Sequence, residues 1–350
     1  MEAERLSTMD WIVYGVLTLV KTALVLFLLL TAVAYATLME RKVLGFMQLR
    51  LGPNRVGPWG LLQPLADGVK LFFKEDIALP VSEPRLYALA PWVTAVAALT
   101  PFVAIPFADT IFPETVSVFG RTVDLTIYGI HKGVIADLPG AVLFILAISS
   151  LSTYGVVLGG WASDNRYSLL GGIRVTAQMI SYELSLGMAV VGVLMVAGSM
   201  RLTEIVEAQS RLPFVVYQPL GFILYLTAAF AEACRTPFDL IECENELVAG
   251  YHTEYSSMKF ALFQLAEYAH IITVSAVAVT LYLGGWHGPW LPSGAWFALK
   301  TGALVFFFIW VRATYPRVRF DQLMHFGWKV LLPLSLANVV ATGCLLMMWG

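Results

Sequence analysis

Charge is scarce in this chain. Asp, Glu, Lys and Arg make up 13% of its 350 residues, about half the share of a soluble domain, whereas 58% are hydrophobic. Mean hydropathy is +0.74. Lipid rather than water is therefore the expected solvent, and a count of soluble domains from length does not apply. Cysteine is scarcer still: Cys234, Cys243 and Cys344 form no C-x-x-C pair, so neither a zinc site nor an iron–sulfur cluster can be built from this chain alone. H-E-x-x-H, G-x-x-x-x-G-K-[ST] and G-x-G-x-x-G are all missing. No metal is expected here, and any redox cofactor must sit in a partner. A net charge of −2 and a pI near 6.2 give no basic footprint for nucleic acid. The opening "MEAERLSTMD" lacks the basic region and cleavage site of a signal peptide, so the first apolar segment is expected to be retained.

What the chain has is long apolar runs. About 20 such residues cross a bilayer as a helix, and eight segments qualify: 11–39, 86–108, 134–159, 175–198, 215–231, 260–284, 297–313 and 328–348. They predict an all-α integral membrane protein, a single polytopic domain over 1–350. At 1.5 Å per residue the first run spans about 43 Å, longer than the hydrocarbon core, and should tilt or protrude. The fifth is the shortest. With eight spans both termini lie on one side. Most of the 22 Lys and Arg flank the loops 40–85, 160–174, 232–259 and 312–329, which the positive-inside rule places in the cytoplasm, leaving both termini outside.

The first of these loops is too long for a connector. After the turn-rich "RLGPNRVGPWG", Pro64 can open a helix on which Leu65, Val69, Phe72 and Phe73 share one face, opposite Asp67, Lys70 and Lys74. That is an amphipathic helix lying on the membrane surface, fit to anchor the chain or to guide a lipid tail.

The third is acidic. Asp239, Glu242, Glu244, Glu246 and Glu254 crowd into "PFDLIECENELVAGYHTEY", and Glu232 and Glu267 flank it; the only Lys or Arg in that window are Arg235 and Lys259. "TPFD" reads as a helix start, with Thr236 as N-cap, Pro237 at N1, Asp239 at N3 and Gly250 as C-cap. Asp239, Glu242 and Glu246 would share a face. A solvated acidic loop with one capping Asp would look the same in isolation. Carboxylates inside or ending spans weigh against it: Glu183 within "AQMISYELSLGMAVV", Glu267 within "FALFQLAEYAHIITV" and Glu40 in "YATLMERK". Two carboxylates about 6 Å apart repel by about 3 kcal/mol at an effective dielectric near 20, so such a group shares protons.

Four stretches, "MERKVLGFMQLRLGPNRVGPWGLLQPLADGVKLFFKED", "GWASDNRYSLLGGIRVTAQMISYE", "AEACRTPFDLIECENELVAGYHTEYSSMKFALFQLAEY" and "RATYPRVRFDQLMHFGWKVLLPL", cover over a third of the chain in order. In them the chain resembles the quinone-chamber membrane subunit of respiratory complex I, NADH:quinone oxidoreductase. The resemblance implies eight spans at the heel of the membrane arm, and a chamber admitting ubiquinone or menaquinone as substrate. It implies partners that include the peripheral iron–sulfur and quinone-site subunits, which carry FMN and the iron–sulfur clusters, and the neighbouring membrane-arm subunits. No complete active site is implied in this chain alone. By motif, Glu40, Arg41 and Arg50 would line the chamber entrance, Arg312 would approach it from the seventh span, and Phe72 and Phe73 would meet the quinone tail. A proton file would run through Glu183, Asp239, Glu242, Glu244, Glu246, Glu254 and Glu267. Cys243 departs from the family loop, where a small residue is commoner.

Chemistry supports that division. Quinone reduction consumes two protons and develops an oxyanion, roles suited to carboxylates and to permanently charged arginines respectively. Positive-inside anchoring alone would also explain the arginines. Two other functions fit the composition: the related anchor subunit of membrane-bound hydrogenases, and a cation/proton antiporter. "GPNRVGPWGLLQP" and "RTPFDL" favour the quinone enzyme, while length and the outward N-terminal extension favour a bacterial plasma membrane over a mitochondrial one.

Overall fold

The computed structural model describes residues 8–77, 82–113, 115–118, 121–124, 126, 131–240 and 247–349. The protein is an α-helical bundle. Among the described residues, seven helices are long and apolar enough to cross a membrane. They are α1 (Thr8–Met47), α3 (Pro84–Leu99), α4 (Ala141–Ala162), α5 (Arg166–Ala197), α9 (Ser257–Tyr282), α10 (Ser293–Thr314) and α11 (Phe320–Met348). Shorter helices are α2 (Gln63–Phe73), α6 (Leu202–Ala208), α7 (Phe214–Tyr217) and α8 (Pro219–Glu232).

The segment expected as the fifth span is the exception. It breaks at Gln218, where φ is −131° and ψ is 60°, so α8 has only 14 residues and reaches about 21 Å. Pro219 opens α8 where its missing N–H is not needed. The break is sealed by amides: Gln218 Nε2 donates to the Gly192 carbonyl (3.0 Å) and to Thr342 Oγ1 (2.9 Å), and Gln209 Oε1 accepts from the Phe214 N–H (3.2 Å). Inside lipid such freed backbone must find protein partners.

Three boundaries differ from the sequence expectation. α1 runs to Met47, so Glu40, Arg41 and Lys42 stand on its last turns rather than in a loop. α5 begins at Arg166, with Asn165 as N-cap accepting from the Tyr167 N–H, and absorbs most of the expected loop 160–174. The loop after α3 carries two small antiparallel two-stranded sheets, Ala108–Thr110 with Lys132–Gly133 and, as a hairpin, Thr115–Val118 with Arg121–Asp124; β-branched residues in "TVSV" and "RTVD" account for the second.

Close approach of helices rests on small residues. A Cβ on Gly155 would lie 2.1 Å from Thr94 Oγ1 and one on Gly160 2.6 Å from the Ser168 carbonyl oxygen, so α3, α4 and α5 touch backbone to backbone. At the centre is α9, buried almost throughout from Tyr268 to Tyr282. The loops alternate between two ends. At one end Ser257 Oγ donates to the Leu71 carbonyl (3.1 Å), Asn165 Nδ2 to Glu254 (2.6 Å) and the Val318 N–H to the Pro237 carbonyl (3.0 Å), drawing all four basic-flanked loops together. At the other, buried Lys21 donates to the Lys132 carbonyl (2.6 Å), and Lys300 caps the end of α9 through the Leu283, Gly285 and His287 carbonyls.

Candidate functional site

At the end where those loops meet, α1, α9 and α10 close on an ionic cluster. Glu40 is buried on α1. Its Oε1 accepts from Arg312 Nη1 of the last turn of α10 and, at 3.4 Å, from Arg235 Nη1; its Oε2 accepts from Tyr268 Oη at 2.9 Å. Arg235 lies just beyond α8, where the Arg235 N–H bonds back to the Phe230 carbonyl (3.1 Å) and turns the side chain inward. Its guanidinium carbon sits 4.8 Å from the centre of the Tyr268 ring, and Nη2 is 2.9 Å from Glu267 Oε1, a charge contact without an aligned N–H. Two carboxylates and two guanidiniums leave the cluster neutral. Burial works against the Arg235 charge, but the Glu267 and Glu40 carboxylates outweigh it and raise its pKa further. Burying both signs of charge together, so that each offsets the other's lost hydration, is what makes such a cluster tolerable.

The acidic loop does not open as the expected helix. Residues 236–240 form a turn, with Phe238 N–H donating to the Arg235 carbonyl (2.9 Å). Thr236 makes no capping bond, because the groups a cap would use are taken elsewhere. Arg317 Nη2 donates to the Asp239 carboxylate (3.1 Å), and Gln178 Nε2 holds the Ala231 and Phe238 carbonyls at 2.7 and 2.9 Å. Gly250 has the left-handed φ of +63° that its expected role needs, but it opens a 3-10 turn, Gly250–His252, pressed within 2.9 Å of where a Gly171 Cβ would stand. Glu242, Glu244 and Glu246, with Cys243, lie outside the described residues. Burial lowers the His252 pKa to about 4, against a smaller opposing pull from Asp239. Burial also pushes the Cys234 thiol up, as do the Asp239, Glu267 and Glu232 carboxylates, so it stays protonated and inert.

Of the residues singled out from sequence, Glu40, Glu267 and Arg312 meet in one place. Arg41 points away, paired with Asp67 of α2, and exposed Arg50 bonds to Gln48 (2.7 Å). Phe72 and Phe73 stand outward on α2, the latter 81% exposed, so the apolar face is where the sequence puts it. Glu254 is held by Asn165, and Glu183 accepts from Ser150 Oγ of α4. Among the described acids, Glu40, Glu267 and Asp239 have an Arg partner and are less mutually repulsive than their spacing suggested, whereas Glu183, Glu232 and Glu254 have no Arg or Lys ion pair. Sequence reasoning missed Arg235, Tyr268, Glu232 and His270 as site members. Each had a faint signal: Glu232 flanks the acidic run, Arg235 is one of two cations in that window, and Tyr268 and His270 lie one and three positions past Glu267 on the same helix.

Residues 20–343 match the family model described as NADH dehydrogenase. The chain belongs to this family. It is 52% identical over 330 residues to an H-type chain of NADH-quinone oxidoreductase from Geobacter metallireducens, covering 94% of this chain and 96% of that protein. The corresponding chain of Syntrophotalea carbinolica is 49% identical over 341 residues, 97% of this chain and 99% of its own length. That of Deinococcus deserti is 49% identical over 342 residues, 95% of this chain and 84% of its own. The family read from the four loop stretches and the all-α membrane fold are both borne out.

Proposed function

We propose that the chain is the subunit of a proton-translocating NADH:quinone oxidoreductase that forms the quinone chamber and passes protons toward the membrane arm. The observation that carries this reading is the neutral Glu40–Arg235–Glu267–Arg312 cluster, its inner pair Glu40 and Arg235 buried and the other two partly exposed, at the end of the bundle where the loops converge. Ubiquinone or menaquinone enters over the apolar face of α2, past Phe72 and Phe73. Electrons come from FMN and iron–sulfur clusters in partner subunits, which dock on the loop end together with the quinone-site subunit, while other membrane-arm subunits pack alongside. Arginines that keep their charge steady the headgroup's negative charge as it develops. Carboxylates beyond them, Glu267, Glu232 and Glu183, and Asp239, Glu254, Glu242, Glu244 and Glu246 of the loop, supply and carry the two protons that each reduction consumes. The loop end faces the cytoplasm of a bacterial plasma membrane, and both termini face outward.

Purification decides between this and the rival functions. A tag on this chain should bring down a module containing flavin and iron–sulfur that oxidises NADH, and the isolated assembly should reduce quinone and acidify the opposite side of vesicles. Recovery of a hydrogen-evolving module without quinone reductase activity, or transport by the purified chain alone, would overturn it.

A further inference from the structure

Next to the ionic cluster lies a cavity of about 50 Å³ lined by Ser152 of α4, Met179 of α5, Glu232 and Cys234 at the end of α8, and Glu267 and His270 of α9. His270 is 8% exposed, and its Nε2 has no hydrogen-bond partner. That nitrogen points to Glu232, 3.6 Å from Oε1, just beyond hydrogen-bond range. A histidine serving only as packing would have this atom satisfied by protein, because an unpaired buried polar atom is costly. The cavity is polar on one side and large enough for ordered water.

We propose that His270 is a proton-transfer residue that joins Glu232 to Glu267 through this cavity, bridging the inner carboxylates to the cluster around Glu40. The inference rests on the carboxylate-file reading and adds a member that is not a carboxylate. Glu267 and His270, three positions apart, share one face of α9. Glu232 faces the ring from α8 and has Ser149 of α4 within hydrogen-bonding reach. Arg235, from the loop after α8, is held by Glu267 and Glu40. Thr94 of α3, Ser152 of α4 and Val175 and Met179 of α5 close the cavity without charge. Glu232 therefore has no standing cation, and an imidazole can become one when required.

Imidazole is the one side chain that takes a proton on one atom and releases one from another near neutral pH. The Glu232 carboxyl gives its proton to Nε2. The ring then gives the proton on its other nitrogen to cavity water, which passes one to Glu267. No bond other than to hydrogen changes and no electron moves. Tautomer exchange through the cavity water resets the ring: as Nε2 releases its proton the bare nitrogen takes one up, so the imidazole ends neutral.

The test uses assembled complex in membranes, with NADH:quinone turnover and vesicle acidification each divided by NADH oxidation with a soluble artificial acceptor, a reaction that bypasses this chain. His270→Gln keeps a polar group of similar reach but cannot exchange protons, and its coupled turnover should fall by roughly tenfold or more, short of the largest general acid–base effects because water fills in. In His270→Ala, added imidazole should restore turnover, whereas pyrrole, with the same shape but no basic nitrogen, should not. Glu267→Gln serves as the reference. Wild-type turnover in His270→Gln beside a depressed Glu267→Gln would overturn the role of His270 alone; wild-type turnover in both would overturn the file itself. Equal rescue by imidazole and pyrrole, or rescue by neither, would reduce His270 to packing. Should His270→Gln fail to assemble, the alanine rescue decides.

Discussion

Arg235 holds the site together, and its removal gives the most demanding test. Its guanidinium approaches Glu40 at 3.4 Å and Glu267 at 2.9 Å. At an effective dielectric near 20 those separations correspond to roughly 5 and 6 kcal/mol of attraction, before the desolvation of all three groups offsets much of it. Breaking a buried pair by removing one partner nets about 3–5 kcal/mol, because a buried charge is left uncompensated. Arg235→Met should therefore destabilise the region strongly, and Arg235→Met with Glu267→Gln should recover part of the loss by removing the stranded charge as well. Heat inactivation of detergent-solubilised complex measures this. If only about 1.4 kcal/mol reached the inactivation barrier, the single variant would inactivate about tenfold faster. The double variant should be slower to inactivate than Arg235→Met alone, a non-additivity expected of residues in contact. Inactivation rates within twofold of wild type for Arg235→Met, or strictly additive effects, would refute the claim that this cluster is an energetic unit.

Glu183→Gln should assemble yet depress quinone reduction and proton translocation, whereas Glu204→Gln, an exposed side chain on α6 at the opposite end, should leave both unchanged; equal behaviour of the two variants would remove Glu183 from the file. Phe73→Glu places a charge on the membrane face of α2 at a cost of about 2 kcal/mol or more of lost apolar burial, and should raise the apparent KM for long-tailed quinone while sparing NADH oxidation by a soluble acceptor. His252 is neutral in the fold, with its pKa lowered to about 4 from 6.5. Its unfolded form gains a proton first as pH falls, so the loop keeps full stability above about pH 6.5 and loses it progressively down to pH 4; hydrogen exchange around Gly250–Tyr255 that stays flat from pH 7 to 5 would contradict this. On a background with the three native cysteines replaced, Lys74→Cys should label only from the cytoplasmic face and Ser210→Cys only from outside, and the reverse would invert the assigned orientation.

Much of the fold was legible because a lipid solvent writes long apolar runs, and seven of eight segments were found as long helices. The broken fifth was harder. Nothing apolar in "PFVVYQPLGFILY" shows that Gln209 will take the Phe214 N–H, or that the Gln218 amide will bond across the break to Gly192 and Thr342 of neighbouring helices. Helix ends drifted for a related reason: Glu40 and Arg41 look like loop residues by polarity, yet their charges are satisfied by Arg312, Arg235 and Asp67, so the helix runs on past them. For the site, the carboxylates were visible one at a time, but counter-charges came from other elements. Arg317 reaching Asp239, 78 positions away, and Arg235 reaching Glu40, 195 positions away, cannot be read from spacing along the chain. The expected helix at Thr236 failed on the same account: its N3 carboxylate had a distant arginine to answer.

Two neighbouring residues of α1 are tied to different bodies. Arg41 is joined to Asp67 on the surface helix, and Glu40, one peptide away, is joined to Arg235, Arg312 and Tyr268 in the interior. A helix transmits rotation about its axis with little slack, since each turn is locked by its own hydrogen bonds. A rotation of the last turns of α1 would therefore move both contacts at once, the one with α2 and the one in the ionic cluster. A molecule that shifts the surface helix as it slides in would turn the Glu40 carboxylate relative to its arginines before it touched any of them.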